Sequence, residues 1–250
     1  MALMDEFKSE REAVKQKSFR EKVNYFVYYY KWHVIAAVAI FFLLFALVRE
    51  TINSKELSIF GLFLNASSMT LDSPEEFEAD FCEYAGIDTQ KHAADFEHTF
   101  RMGPQMDSAG LEANQMIMVY LAAGDIDVMA MDTFNFNKYS YNSAYADLRN
   151  YLTEEELETY KDYLFYIDEG FLDEIERIKK GETLDYTIEY PDFADPASME
   201  NPIPVGINLK ASPKFQEYYT YGKEEAYLGI VLNAPHPDIC AKLLDFLFEK

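Results

Sequence analysis

The apolar positions of this chain fall into two regimes: one unbroken run near the N-terminus, then short apolar bursts alternating with amphipathic stretches. The run, residues 32–48, holds no charged side chain, and its core at 34–48 is apolar throughout. Seventeen residues at ~1.5 Å each give about 26 Å, slightly under a ~30 Å hydrocarbon core. The preceding stretch adds Tyr25, Phe26, Tyr28, Tyr29, Tyr30, Lys31 and Trp32, the aromatic and basic mixture of a membrane interface. The pattern predicts a transmembrane helix over residues 23–49 behind a charged cytoplasmic segment, 1–22. A connector at 50–56 and an outer α/β domain at 57–250 complete the expected organisation. No small-residue cleavage site ends the run, so the helix is expected to stay as an anchor.

Beyond the run, residues 57–65 read as a strand buried on both faces. Ser73, Pro74 and Glu76 open a helix that Gly86 stops, and a weaker strand lies around 98–102. A Met-rich helix from Gly110 to Ala123 ends at Gly124 and leads into a buried strand at 126–131. Helical stretches follow at 144–151 and 154–164, then a polar segment of strand and loop at 181–202. Strands at 203–209 and 226–233 and a helix at 238–248 close the chain. The βαβαβ succession predicts an α/β domain with a mainly parallel sheet covered by helices.

Composition supports a substantial core: 49% of the 250 residues are apolar, with 19 Tyr and 20 Phe. Charge is lopsided. Through Lys31 the chain carries seven basic and five acidic residues, leaving fifteen against thirty-nine of the totals of 22 and 44. The basic lead places the N-terminus in the cytoplasm and the acidic domain outside, at the cell membrane with the lipid bilayer as a partner. So negative a domain repels phosphate backbones, and nucleic acid is not an expected partner.

Candidate chemistry is sparse. The chain has no GxSxG elbow, P-loop or GxGxxG fingerprint, and His92 and His98 are not spaced as helix-face ligands. No enzyme activity, cofactor or metal is expected, and Met116, Met118, Met129 and Met131 read as packing. A hydrolase would draw on the acidic pairs Asp125/Asp127 or Asp168/Glu169, which an acid-rich chain produces readily by chance. Cys82 and Cys240, 158 positions apart, could be bridged outside the cell. Asn65-Ala-Ser67 also fits a glycosylation sequon. In open α/β sheets ligands bind beyond the carboxyl ends of the strands, which selects Asn65, Ser67, Asp132, Thr133, Phe134, Tyr139 and Asn233 as ligand-binding candidates. Aromatic faces mixed with amides suit a small sugar or peptide-like solute.

Three stretches carry a resemblance to a known family. Residues 122–128 (AAGDIDV) look like the helix-to-strand junction of the extracellular solute-binding proteins of ABC importers, and residues 146–152 (ADLRNYL) resemble the helix that follows it. Residues 228–233 (LGIVLN) with the helix at 239–247 are similar to the family's closing strand and helix. The resemblance implies a type II periplasmic-binding fold, capture of a solute and a membrane transporter subunit as partner. Family members are much longer, begin with a cleaved lipoprotein signal and close two lobes on a ligand. This chain has room for little more than one lobe, with any second lobe reduced. Its N-terminal segment looks like that of membrane-anchored proteins of anaerobic Gram-positive bacteria. The expected function is therefore a solute-binding-like domain that captures a small solute or docks a partner. The alternative is an interaction or scaffold subunit of a membrane complex that binds no ligand.

Overall fold

A computed structural model describes residues 18–53, 55–105, 107–180 and 190–248. Most of the predicted cytoplasmic segment, 1–17, and much of the predicted polar stretch, 181–189, lie outside the described residues. The chain forms two compact units, Met1–Ser54 and Lys55–Lys250.

The first unit contributes one helix, α1 (Phe19–Asn53). Its described side chains are exposed, among them Val34, Ile35, Ile40, Phe41 and Leu44. Among the described residues no helix is long and apolar enough to cross a membrane, which corrects the transmembrane assignment of residues 23–49. The strictly apolar run within α1 is residues 34–48, bounded by His33 and Arg49. At ~1.5 Å per residue it covers about 22 Å, short of a ~30 Å hydrocarbon core. The single-pass anchor, its aromatic belt and the location argued from them lose that support. Helix α1 also continues through Asn53, into the stretch expected to be a connector.

In the second unit the elements run β1 (Glu56–Phe63), β2 (Ser67–Ser68), α2 (Ser73–Ala85), β3 (His92–Glu97), α3 (Ser108–Ala123), β4 (Val128–Asp132) and α4 (Thr133–Ser140). They continue as α5 (Glu154–Thr159), β5 (Leu164–Asp168), α6 (Glu169–Lys179), β6 (Pro202–Asn208), α7 (Pro213–Tyr218), β7 (Tyr219–Thr220), β8 (Ala226–Ile230) and α8 (Pro237–Leu247). Six strands form one sheet in the order β3-β1-β4-β8-β6-β5, and β2 pairs with β7 in a separate ribbon.

The sheet is mixed. β1 runs parallel to β3 and β4, but β8 is antiparallel to β4, β6 to β8 and β5 to β6. The expectation of a mainly parallel sheet is thus corrected: the βαβαβ order describes only the β1–β4 half. The second half is built from strands that return without parallel crossovers, and it includes β5 and α6, which the apolar pattern did not single out. No second sheet of lobe size is present among the described residues.

Burial on both sheet faces explains the unbroken apolar run of β1. Ile59 and Phe63 enter one core with Phe77 and Phe81 of α2, Phe215 of α7 and Phe246 of α8. Phe60, Leu62 and Leu64 enter the other core with Ile117 of α3, Phe136 of α4 and Phe165 of β5. A strand covered on both sides has no polar face, so its sequence cannot alternate. Helix α2 starts one position earlier than its signal suggested. Asp72 takes the N-cap place without a side-chain bond, while Ser73 Oγ accepts from Thr70 N at 3.0 Å. Gly86 ends it at φ 71°, a left-handed conformation that favours glycine.

Other expectations move. The weak strand at 98–102 is found at His92–Glu97, where Ala94 and Phe96 give the period of two. The helix expected at 144–151 is a short 3-10 turn, Leu148–Asn150, and Tyr145 instead bridges to Val231. Met129 and Met131 are core residues, but Met118 is 53% exposed. Cys82 and Cys240 are buried free thiols, so the bridge left open by the sequence is not formed. Burial pushes both thiols above their ordinary value of 9.0.

Candidate binding cleft at the ends of β1 and β4

Because β1 and β4 are parallel, their carboxyl ends reach the same edge of the sheet. β1 leaves the sheet at Asn65, held at φ 65° by its neighbours. Its backbone N–H donates to Phe100 O at 3.0 Å, and its side-chain Oδ1 accepts from Met102 N at 2.8 Å. Asn65 Nδ2 donates to Met102 O at 2.8 Å and to Asp132 Oδ2 at 2.7 Å. Asparagine tolerates the left-handed region when its short side chain finds such local partners.

β4 ends at Asp132, which is also the N-cap of α4. Its Oδ1 accepts from Asn135 N at 3.1 Å, and its Oδ2 accepts from Asn135 Nδ2 at 2.7 Å. Asn135 Nδ2 also donates to Met102 O at 2.9 Å. Thr133 N donates to Glu225 O at 3.0 Å, tying the head of α4 to the segment before β8. Two asparagines, one aspartate and the Met102 peptide thus form a closed polar lock that joins three chain segments.

Above this lock lies an open cleft of ≈ 640 Å³. Its floor includes Asn65, Met102 and Asp132, its walls Gly103, Pro104 and Tyr221, and its rim Arg101, Thr133, Phe134, Glu224 and Glu225. Phe134 is 52% exposed. Arg101 is held by its own loop, its Nη1 donating to His98 O at 2.5 Å and Phe100 O at 2.9 Å. The hydrogen bond from Lys210 holds the Glu225 carboxyl below its ordinary value. Burial, with the Asp132 charge beside it, pushes the Tyr221 phenol well above its ordinary value of 10.0.

Of the residues selected from the sequence, Asn65, Asp132, Thr133 and Phe134 come together here. Ser67 pairs with Thr220 in the β2–β7 ribbon and lines no part of the cleft. Tyr139 is buried between helices, its hydroxyl donating to Asn114 Oδ1 at 3.1 Å, and burial pushes its phenol up to about 12. Asn233 belongs to the opposite sheet edge: β8 is antiparallel to β4, Asp132 faces Ala226, and Val231 N donates back to Asp127 O at 2.9 Å. The start of β8 reaches the cleft, and its end does not. Arg101, Met102, Gly103, Pro104, Tyr221, Glu224 and Glu225 were not foreseen. They lie on connections after β3 and before β8, and only Gly103-Pro104 carries a turn signal.

One acid of each pair weighed for hydrolysis, Asp127 and Asp168, holds backbone groups. Asp127 is fully buried and accepts from Phe60 N at 2.8 Å, His236 N at 2.7 Å and His236 Nδ1 at 3.1 Å, while Asp125 is exposed. Asp168 caps α6. Its burial raises the carboxyl, but bonds from the Asn201, Glu200 and Gly170 N–H groups outweigh that and hold it below 3.8. Among the described residues no three His, Cys, Asp or Glu side chains converge as a metal site requires. No known protein family, curated protein or solved structure matches the chain.

Proposed function

We propose that the domain Lys55–Lys250 is a non-enzymatic binding module that captures a small polar solute in the cleft at the ends of β1 and β4. One observation carries the reading: a cleft of ≈ 640 Å³ stays open over a floor whose side chains are already locked by each other. A floor that does not have to rearrange costs little ordering on binding, and a volume of this size suits a sugar, amino acid or short peptide. The half-exposed Phe134 ring supplies an apolar face beside polar rim groups.

A thermal-shift screen of the full chain against sugars, peptides, amino acids, polyamines and divalent cations tests it. At 100 times its dissociation constant a ligand adds ~2.7 kcal/mol, a rise of about 5–10 °C for a domain of this length. A flat response from folded protein across all classes overturns the reading.

A second reading, an interaction subunit, is favoured by the outer face of α3, where Leu111, Met118 and Val119 are exposed. Its occupant is a second copy of the chain. Two strongly negative domains approach most easily through a face with few acids, and Glu112 is the one acid in α3. Sedimentation of the full chain separates the cases: dissociation by Val119→Lys favours self-association, and an unchanged profile removes it.

A further inference from the structure

We infer that the cleft selects a ligand bearing a primary ammonium group, with the amine seated over Asp132 and its carbon stem against Phe134. The inference deepens the solute-capture reading and rests on it.

Three observations converge. The first is charge. The carboxylates at the cleft are Asp132, Glu224 and Glu225, and Glu225 is paired with Lys210. Among the described residues Asp132 is bonded by amide groups and by no cation. Asp132 and Glu224 therefore stand against Arg101 alone, whose guanidinium is turned onto the His98 and Phe100 carbonyls. The second is bonding capacity. Asp132 Oδ1 accepts one N–H where a carboxylate oxygen has room for two, so the floor retains an acceptor site next to the cleft.

The third is an unpartnered acceptor in the cleft wall. Tyr221 lines the cleft beside Asp132, and its buried hydroxyl has no hydrogen-bond partner. Leaving a buried polar group without a partner is unfavourable, and this hydroxyl accepts a hydrogen bond. An ammonium group brings three donors and a positive charge to a site rich in acceptors and negative charge. A carboxylate or phosphate brings neither. The acidic domain further raises the local concentration of cations at the mouth.

Calorimetric titration of the full chain with 1,4-diaminobutane, against 1,4-butanediol and glucose as uncharged probes, tests the inference. Saturable binding of the diamine at one site, with no diol binding, is expected. Glu224→Gln should weaken the diamine about two- to fivefold, the range of one exposed charge contact. Glu155→Gln, on α5 outside the cleft, should leave affinity unchanged and so exclude general attraction to the acidic surface. Tyr221→Phe, which keeps the ring and removes the hydroxyl at the cleft, should also weaken binding. Binding of diol or glucose without diamine overturns the ammonium inference and leaves solute capture standing. Equal losses in Glu224→Gln and Glu155→Gln overturn the assigned site. Failure of every probe on folded protein removes this inference, and the broader screen then decides solute capture by itself.

Discussion

Asp127 and Asp132 bracket β4, and each fastens one edge of the sheet. Asp127 binds the backbone of Phe60 and the head of α8, while Asp132 binds the loop after β3 and the head of α4. A fully buried carboxylate with three N–H partners leaves all of them unsatisfied when it is truncated. Asp127→Ala should therefore cost at least about 2–3 kcal/mol in urea unfolding. A loss below ~1 kcal/mol would contradict this anchoring role. Tyr145→Phe runs the other way: deleting an unpartnered buried hydroxyl should raise stability by about 1 kcal/mol in the same measurement. At this scale the sequence was partly legible. Asp132 stood out because it closes an apolar strand, and its amide partner Asn65 because it closes another. The bond from Asn135 to Met102 O depends on how the head of α4 meets the loop after β3, which no local spacing encodes.

Among the elements, α2 shows how burial decides what the sequence displays. Its N-terminal Pro and C-terminal Gly are local signals and placed the helix to within a residue. Phe77, on its inner face, is fully buried with ring centroids 4.8 Å from Phe96 and 5.4 Å from Tyr219. Phe77→Ala should lose about 3–5 kcal/mol, because the surrounding rings cannot collapse into the space left; a cost under ~1.5 kcal/mol would show that they can. The direction of β8 was not legible. An apolar strand of five residues reads the same in either orientation, and its antiparallel insertion beside β4 moved Asn233 to the far edge. The same insertion needs Gly229, where an added Cβ would stand 2.8 Å from Val205 O and 2.5 Å from the Tyr145 ring. Since one of these contacts is backbone, Gly229→Ala should destabilise the domain by about 1–3 kcal/mol, measured as a shift in unfolding midpoint.

For the whole molecule, a net charge of −22 makes pH a stability variable, and the acids displaced from their ordinary values give its sign. Burial raises the Glu78 carboxyl above 4.5, with Asp95 and Glu75 adding to it, and burial with Glu97 raises Asp95 above 3.8. An acid whose folded value is raised binds its proton more readily in the folded state. Its penalty is absent below the unfolded value and grows as pH rises through the folded one. Asp168 and Glu225 are lowered, so their contribution is present above the ordinary carboxyl values and is lost as pH falls through the lowered ones. The two groups therefore act in different windows. Acidifying from neutral pH toward the raised values of Glu78 and Asp95 relieves their penalty while Asp168 stays ionised, so the urea midpoint should rise at low salt. Below about pH 4 it should fall as Asp168 takes up its proton. Glu78→Gln removes one of the raised acids and should flatten the rise without changing the acid limb, whereas Asp168→Asn should blunt the acid limb and leave the rise. A midpoint that falls steadily from pH 8 downward would mean that lowered carboxylates dominate throughout, and that the acidic surface costs the folded domain little.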